Sequence, residues 1–323
     1  MTHKLKNKVI NHGGVSGGKD STALLLWMVY ESGYPEESLS ITFCDTGNEA
    51  PETYAYVAML SAKVHPIVTI LPELDFYALA KKKGRFPSSQ ARFCTQELKM
   101  KPTKAHLDAL MDEGYTVLNH SGVRAGESAD RALLEPREPA WLSFFGCEGY
   151  RPLLSWTLAD VWAIHERYGI PRNPLYDMGC KRVGCLPCIM SRKAEVLNIA
   201  LRMPERLDMI RAKEAEIGGT RAYGISTFFA RNMVPVRWRD REISVPAKTR
   251  TIAATPLGED ALPFLASEFP LSVEVQTGGV RMAVATIDGV ERWARAGIGE
   301  TEALEFEGME EPPTCDSRSG LCE

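Results

Sequence analysis

Long hydrophobic runs are missing from this sequence. No apolar stretch approaches the roughly 20 residues that a membrane-spanning helix needs. The positively charged N-terminus, residues 1–8, leads into a short strand-like segment and not into the apolar core of a signal peptide. We also find no internal repeat and no low-complexity tract. The protein is therefore predicted to be cytoplasmic, without membrane association.

A strong excess of charge of either sign is missing as well. Lys and Arg number 38, Asp and Glu number 42, and the formal net charge is -4. This balance produces no global basic field, so the composition does not favour strong non-specific nucleic-acid binding, although a local basic patch stays open. Hydrophobic residues make up 44% and charged residues 25%, the usual mix of a soluble globular protein.

Strand-like and helix-like patterns alternate along most of the chain. Strands are predicted at residues 8–15, 38–44, 65–71 and 116–119, and helices at 21–32, 51–61, 157–168, 192–202 and 205–217. This alternation predicts an α/β fold with a doubly wound, mostly parallel sheet covered on both faces. Because ligands of such sheets bind at the carboxyl ends of the strands, the loops at 16–21, 45–48 and 122–128 are expected to converge there.

The chain length of 323 residues suits one large domain and a small appendage. We predict a nucleotide-binding domain over residues 1–235, which includes a cysteine-rich segment, and a small C-terminal region over residues 236–323. The pattern weakens beyond about residue 240. Strands at 271–276 and 280–287 would make this region β-rich, and its cysteine-containing tail is expected to be mobile.

A glycine-rich loop over residues 16–21 reads Ser-Gly-Gly-Lys-Asp-Ser and lies between the first strand and the first helix. Gly17 and Gly18 let the backbone approach phosphates and direct its N–H groups at them. The following helix N-terminus adds a favourable potential for an anion. Hydroxyl donors and a cation come from Ser16, Ser21, Thr22 and Lys19. The alternative is a glycine turn that only caps the helix.

The loop differs from a Walker A motif at one position. Gly13, Gly18 and Lys19 have the Walker A spacing, but Asp20 follows where that motif requires Ser or Thr for magnesium. An acid is a poor neighbour for a γ-phosphate unless a metal bridges the two groups. The sequence therefore indicates another class of phosphate site.

The string instead resembles the PP-loop of the ATP pyrophosphatase superfamily, whose members cleave between the α- and β-phosphates or act at the α-phosphate of an activated sulfate. Within that superfamily the chain is similar to the phosphoadenosine phosphosulfate (PAPS) reductase family, and in particular to its phage and prophage members. The resemblance covers roughly residues 9–230, with matching segments at 43–54, 92–99, 122–128, 151–153, 156–162 and 173–176. It implies an enzyme that acts on ATP or PAPS in sulfur metabolism or in sulfur modification such as DNA phosphorothioation.

Charged residues in these segments are the candidates for chemistry. Lys19 and Arg124 are candidates to neutralise phosphate charge as the leaving group gains it. Asp20 and Asp45 are candidates to hold magnesium or to orient the attacking group. Lys19, Asp20 and Arg124 form the predicted catalytic set, and the predicted nucleotide site is completed by Arg92, Lys99 and Gly122. The alternatives are solvated surface charges at 92, 99 and 124, and a cap or turn at Asp45.

Eight cysteines stand at positions 44, 94, 147, 180, 185, 188, 315 and 322. In a reducing compartment, clustered cysteines more often bind metal or carry out redox chemistry than form disulfides. The Cys-x2-Cys turn at 185–188 can place two thiolates on one metal. Four thiolates, which suit an iron–sulfur cluster or zinc, would come from Cys94, Cys180, Cys185 and Cys188. Related sulfur-handling enzymes carry a [4Fe–4S] cluster, which favours iron–sulfur over zinc.

Other readings of the cysteines stay open. Cys315 or Cys322 could fold back and supply the fourth ligand in place of Cys180. The Cys-x2-Cys pair could instead be a redox pair or small buried residues. Cys44 and Cys147 are predicted to be packing residues.

The C-terminal tail bears on the reaction. Assimilatory reductases of the family carry a nucleophilic cysteine in a terminal Glu-Cys-Gly-Leu-His element; it attacks the sulfonate sulfur, and thioredoxin then releases sulfite. Here the tail ends Gly-Leu-Cys-Glu, so Cys322 follows Gly-Leu and no His is present. This departure weighs against reductase activity, although a Cys322 thiolate could still act as a nucleophile or carry sulfur. The alternative is an idle cysteine in a disordered terminus.

Three classes of function follow. The first is an enzyme that adenylates an acceptor with ATP and releases pyrophosphate, or that reduces PAPS or adenylyl sulfate with thioredoxin. The second is a non-catalytic nucleotide-binding module with a structural metal. The third is a zinc-structured nucleic-acid binder, which the net charge of -4 does not favour. Expected partners are the nucleotide with magnesium, a DNA or tRNA acceptor or a sulfur-donor protein, and a homodimer is left open.

Overall fold

The computed structural model describes residues 8–88, 91–218, 226, 228, 233–238, 241–246 and 287–295. These residues belong to two compact units. Residues 8–75 and 94–186 form the first unit, and the other described residues form the second. The domain boundary predicted at residue 235 stays a prediction, because most of the chain after it lies outside the described residues.

Eight strands are described. They are β1 (Val9–Gly14), β2 (Leu39–Cys44), β3 (Val68–Ile70), β4 (Thr116–His120), β5 (Arg137–Glu138), β6 (Glu148–Tyr150), β7 (Met233–Trp238) and β8 (Arg241–Pro246). The first six form one sheet in the order β3-β2-β1-β4-β6-β5. Every neighbouring pair in it is parallel except β5 and β6. The predicted α/β fold with a doubly wound, mostly parallel sheet is confirmed.

The helices are α1 (Lys19–Leu26), α2 (Pro51–Lys63), α3 (Phe76–Lys82), α4 (Phe93–Thr95), α5 (Lys101–Asp112), α6 (Ala129–Ala132), α7 (Leu158–Arg167), α8 (Pro174–Asp177), α9 (Lys193–Arg202), α10 (Pro204–Gly218) and α11 (Ile287–Arg295). Short π-helical turns follow α1 at Trp27–Glu31 and precede α5 at Gln96–Met100. In the described part of the chain, no helix combines the length and the apolar character needed to cross a membrane.

The core of the first unit is built around α1. All eight residues of α1 are buried, the polar residues of its first turn included. The apolar run that begins at Ala23 predicts a helix covered on every side. Its leucines share one cluster with Ile41 of β2 and with Val161 and Ile164 of α7. The chain leaves this region at Gly33, whose φ of 74° only glycine adopts readily. Packing therefore fixes the helix that begins directly after the glycine-rich loop.

The predicted elements of the first unit are found with small shifts at their ends. The third strand is shorter than predicted, and the fourth extends by one residue to His120. Helix α7 is capped as its sequence indicates, because the Asp160 carboxylate accepts from Thr157 N at 2.8 Å while Thr157 Oγ1 accepts from Asp160 N at 3.2 Å. Asp thus serves where Glu or Gln is usual in a capping box. Helix α5 and strands β5 and β6 were not predicted.

The second unit contains α3, α9, α10, α11 and the antiparallel hairpin of β7 and β8. Glu214 of α10 is buried, and its carboxylate accepts from Phe228 N at 2.7 Å and from Ile287 N at 2.9 Å. Burial raises the pKa of Glu214 to about 8, although these two amide donors act in the opposite direction. A strand was predicted to end at Ile287, and this is wrong because Ile287 begins α11. The other residues of the two predicted C-terminal strands lie outside the described residues.

Two buried histidines join the strands of the main sheet. The His12 ring on β1 lies 2.7 Å from Asn119 Oδ1 on β4 and 2.9 Å from Thr42 Oγ1 on β2. His120 Nδ1 lies 3.0 Å from the carbonyl oxygen of His12. Burial lowers the pKa of His12 to about 4, although its bond to Asn119 acts in the opposite direction. Burial likewise lowers the pKa of His120 to about 4.

Acid is therefore expected to destabilise the sheet before most carboxylates titrate. In the unfolded chain, His12 and His120 become protonated below the ordinary histidine pKa of 6.5. In the folded state they become protonated only near pH 4. Stability is thus complete above 6.5 and is lost as the pH falls towards 4, by up to roughly 3 kcal/mol for each ring. Urea unfolding across this range should show the decline, and His12→Gln and His120→Gln should each make it shallower. An unchanged slope in both variants would contradict this assignment.

Candidate functional site

The glycine-rich loop is a tight turn closed by its own side chains. Gly17 has a φ of 81°, and a Cβ added there would stand 2.9 Å from Thr53 Cγ2. Ser21 Oγ accepts from Ser16 N at 3.1 Å and donates to the Gly18 carbonyl at 3.0 Å. Gly18 is the residue that precedes the first turn of α1. The loop therefore stands at a buried helix N-terminus, the local structure that favours anions.

Three charged side chains meet beside this loop, all of them buried. Asp20 is 1% exposed, and its two carboxylate oxygens face different cations. Lys19 Nζ lies 3.1 Å from Oδ2, and Arg124 Nε lies 2.5 Å from Oδ1. Lys19 follows β1, whereas Arg124 follows β4, and these strands are neighbours in the sheet. The structure thus brings together the three residues predicted to be catalytic.

The site lies where the winding direction of the sheet reverses. From β1 the chain proceeds to β2 and β3 on one side and then crosses to β4 on the other. The carboxyl ends of β1 and β4 therefore diverge at a topological switch point, where ligands of doubly wound sheets bind. This placement follows from strand order alone and agrees with the ion-pair contacts.

Side chains of the 173–176 segment form hydrogen bonds to the backbone of the glycine-rich loop, and we call these contacts the brace. Asn173 Nδ2 donates to the Gly17 carbonyl at 3.1 Å, and the Tyr176 hydroxyl accepts from Lys19 N at 2.9 Å. Buried His165 of α7 adds a third contact, with Nε2 2.9 Å from the Lys19 carbonyl oxygen. These bonds hold the backbone on both sides of Gly18, so the conformation of the loop is fixed before a ligand binds.

The loop after β4 holds the backbone of Arg124 through the buried acid Glu127. Glu127 Oε2 accepts from Arg124 N at 2.8 Å and pairs with the Arg131 guanidinium. Ser128 caps α6 by accepting from Arg131 N at 3.2 Å. The backbone of the predicted site residue Gly122 is buried in the same loop. The Gly-x-Arg-x-x-Glu-Ser string therefore folds into a turn whose acid fixes the arginine backbone.

Asp45 forms the turn after β2. Its Oδ1 accepts from Gly47 N at 2.8 Å and from the Tyr54 hydroxyl at 2.7 Å. Burial, followed by the bond to Asp45, raises the pKa of Tyr54. These contacts are those of a turn-forming side chain. A direct nucleotide or metal contact for Asp45 stays a prediction.

A pocket opens at the carboxyl ends of β1 and β2, next to the glycine-rich loop. It is open to solvent on one side, and about 480 Å³ of space lies within it when that open part is included. Ser16, Ser21 and Lys99, all predicted to bind nucleotide, line this pocket. Its remaining walls are Gly14, Val15, Thr42, Phe43, Cys44, Glu49, Thr103 and Gly184.

Cys44 lies in the pocket wall and not in the core. Its Sγ is 3.3 Å from Thr103 Oγ1, and burial raises its pKa. Cys147, in contrast, packs with Leu107, Val117 and Phe145, and burial raises its pKa to about 11. The two cysteines predicted to be packing residues therefore have different surroundings, and only Cys147 sits in an apolar cluster.

The predicted metal ligands are divided between the two units. Cys94, Cys180 and Cys185 belong to the first unit, and Cys188 belongs to the second. Within the part of the chain that the structure describes, no group of three or more His, Cys, Asp or Glu side chains is arranged to hold a metal ion. The alternative ligands Cys315 and Cys322 lie outside the described residues. The iron–sulfur or zinc site therefore stays a prediction, and no chemical step is derived through it.

The remaining predicted residue, Arg92, belongs to the second unit, so its part in the site also stays a prediction.

Sequence reasoning missed other residues that shape the site. Asn173 and Tyr176 stood in a matched segment, but no role was assigned to them. The buried acids Glu49 and Glu127 were likewise not singled out, because only a folded loop shows which backbone amides an acid holds.

Known proteins are similar to this chain over the part that contains the site. Residues 13–191 match the family described as phosphoadenosine phosphosulfate reductase domain. A 37.8 kDa protein of Escherichia phage 186, described as uncharacterised, is 33% identical over 279 residues, which cover 72% of this chain and 82% of that protein. The matched residues include the loops at 16–21, 45–48 and 122–128. The resemblance predicted from the motifs is confirmed over this range.

Characterised relatives match shorter stretches. The adenosine 5'-phosphosulfate reductase of Allochromatium vinosum is 36% identical over 102 residues, 32% of this chain and 36% of that enzyme. The solved PAPS reductase of Candida auris, a phosphate complex, matches with a TM-score of 0.42 and 23% identity, covering 54% of this chain and 80% of that one.

Removing the brace is expected to destabilise the loop measurably. Tyr176→Phe deletes the acceptor of the Lys19 amide and should lower the free energy of unfolding by about 1 kcal/mol. Asn173→Ala leaves the Gly17 carbonyl without this donor and should cost about 1–3 kcal/mol. Urea denaturation measures both values. The control is Tyr30→Phe, whose ring is 45% exposed and stacks on Tyr168. Equal stability of Tyr176→Phe and the control would contradict the brace.

Proposed function

The chain belongs to the phosphoadenosine phosphosulfate reductase family of PP-loop nucleotide-utilising proteins, and we propose that it is an enzyme that acts at the α-phosphate of an adenine nucleotide in sulfur chemistry. One form of this reaction adenylates an acceptor with ATP and releases pyrophosphate. The other uses a sulfonucleotide, PAPS or adenosine 5'-phosphosulfate. The second candidate for the whole chain is a thioredoxin-dependent sulfonucleotide reductase.

The observation that carries the proposal is the buried meeting of Lys19, Asp20 and Arg124. Two cations with side chains 8% and 5% exposed converge on one carboxylate at a helix N-terminus. Burial of this much charge is costly, and a protein that needed only a stable turn could replace it with apolar residues. Two preorganised cations instead suit an anion whose charge grows as the P–O bond of ATP or the S–O bond of a sulfonucleotide breaks.

The chemistry assigned to the chain rests on charge and position. Lys19 and Arg124 would neutralise the phosphate oxygens, and the glycine-rich backbone would present amides to them. The pocket that adjoins Ser16 and Ser21 would take the rest of the nucleotide. Lys99, in its wall, is a further cation for the ligand. These groups bind and orient; the identity of the attacking group depends on the acceptor.

Each of the two Asp20 carboxylate oxygens faces a cation at hydrogen-bonding distance. Each oxygen also has a second lone pair, so Asp20 is the residue that would hold magnesium here, and the ion would help to neutralise phosphate charge. The carboxylate also holds the two cations in place.

A direct test follows α-labelled ATP and labelled PAPS in parallel. Protein purified without oxygen is incubated with ATP and magnesium, alone and with DNA or tRNA, and separately with PAPS and thioredoxin. Turnover of either nucleotide is expected in the wild type. Lys19→Ala and Arg124→Ala should each lose about 100-fold or more, because each removes a charged group aimed at the phosphates. The matched control is Lys63→Ala at the exposed end of α2.

The products decide between the forms of the reaction. AMP and pyrophosphate indicate cleavage between the α- and β-phosphates, and sulfite from PAPS indicates a reductase despite the altered tail. Nucleotide binding without turnover in every arm would contradict the proposal and favour a non-catalytic nucleotide-binding module. Retention on DNA that falls steeply with salt, without nucleotide binding, would favour the nucleic-acid binder.

A further inference from the structure

Glu49 is a buried acid that the phosphate chemistry leaves unused. It is 5% exposed and stands in the loop after β2. Its Oε2 accepts from Thr46 N at 3.0 Å and from Asn48 N at 3.2 Å, and its Oε1 accepts from Thr46 Oγ1 at 2.7 Å. Bonds from amides to a carboxylate are stronger than those between neutral groups. Glu49 therefore holds the conformation of its own loop.

The same loop is joined to the cysteine segment of the first unit. Glu49 and Cys185 form an antiparallel bridge, and Leu186 N donates to the Asn48 carbonyl at 2.8 Å. The Cys185 Sγ lies 3.7 Å from Glu49 Oε1 and 3.5 Å from Thr46 Oγ1. Thiol contacts at these distances are weak, so the backbone bond of Leu186 makes the firmer connection.

Both sides of this connection reach the pocket. Glu49 lines it from the loop after β2, and Gly184, the neighbour of Cys185, lines it from the cysteine segment. A ligand that fills the pocket therefore contacts the loop and the segment together. Ordering either side by a ligand lowers the entropic cost of ordering the other, which is a coupling between sites.

We propose that Glu49 is a positioning residue that couples occupancy of the nucleotide pocket to the cysteine segment at residues 184–186. The proposal rests on the proposed function in one respect, that the ligand is an adenine nucleotide. A filled pocket stabilises the loop that Glu49 holds, and the bridge to Leu186 passes this order to Cys185. Bound nucleotide then holds the cysteine segment more firmly in the position that the bridge already gives it.

Hydrogen exchange at the Leu186 amide tests the coupling without depending on the state of the thiols. In the wild-type protein, saturating AMP should slow this exchange about tenfold, the effect of strengthening one backbone hydrogen bond. Glu49→Ala should speed exchange at Leu186 about tenfold without ligand, and AMP should no longer slow it. Glu49→Gln should be intermediate, because its amide oxygen can still accept from the backbone amides but its NH2 group cannot accept from Thr46 Oγ1.

Controls separate this inference from the proposed function. AMP affinity is measured on the same samples by equilibrium dialysis, and Glu37→Ala, an exposed acid outside both segments, should behave as wild type. If AMP binds and slows Leu186 equally in wild type and Glu49→Ala, the coupling is overturned. If AMP does not bind wild type, the proposed function and the ligand-dependent half of the coupling are overturned, while basal exchange at Leu186 in Glu49→Ala still decides the positioning half.

Discussion

The site depends on one buried carboxylate that two cations share. Asp20 is almost fully removed from water, and an isolated charge in that position would cost several kcal/mol. Lys19 and Arg124 compensate it, but they come from loops that follow different strands. Their meeting therefore ties the carboxyl end of β1 to that of β4. Loss of either cation would leave Asp20 with a single compensating charge, so both cations contribute to the charge balance of the site.

The side chains around this ion-pair network form hydrogen bonds mainly to the backbone of the site loops. Asn173 and Tyr176 fix the glycine-rich loop, and Glu127 fixes the backbone of Arg124. Glu49 does the same for the loop after β2. The sheet topology brings these three loops near one another, and side-chain hydrogen bonds then fix the conformation of each loop. Preorganisation of this kind lowers the cost of binding a highly charged ligand.

The sequence alone predicted the parts of the fold that carry strong local signals. The first strand, the glycine-rich loop and α1 were predictable because glycines mark the loop and an apolar run that begins at Ala23 marks the helix. Strands β5 and β6 have two and three residues, too few to show a period. Helix α5 does carry one local signal, a proline in its first turn.

Contacts within the site were predictable only in part. Convergence of the loops follows from parallel strands, so Lys19, Asp20 and Arg124 could be placed in one region. The ion pair between Asp20 and Arg124 joins residues 104 positions apart, and no local pattern indicates which charges will pair. The roles of Glu49 and Tyr176 are set by backbone amides that become available only in the folded loops. Side chains that hold backbone carry no recognisable spacing, and this is why sequence reasoning passed over them.

The most direct test of the account is the affinity for AMP relative to adenosine in the wild type and in Arg124→Ala. The two ligands differ only by the phosphate, so their ratio isolates the group that Lys19 and Arg124 are held to bind. The account predicts that Arg124→Ala weakens AMP binding by about 10- to 100-fold, the value of a charged hydrogen bond, and leaves adenosine binding unchanged. Equal AMP affinity in the two proteins, or equal losses for AMP and adenosine, would contradict it.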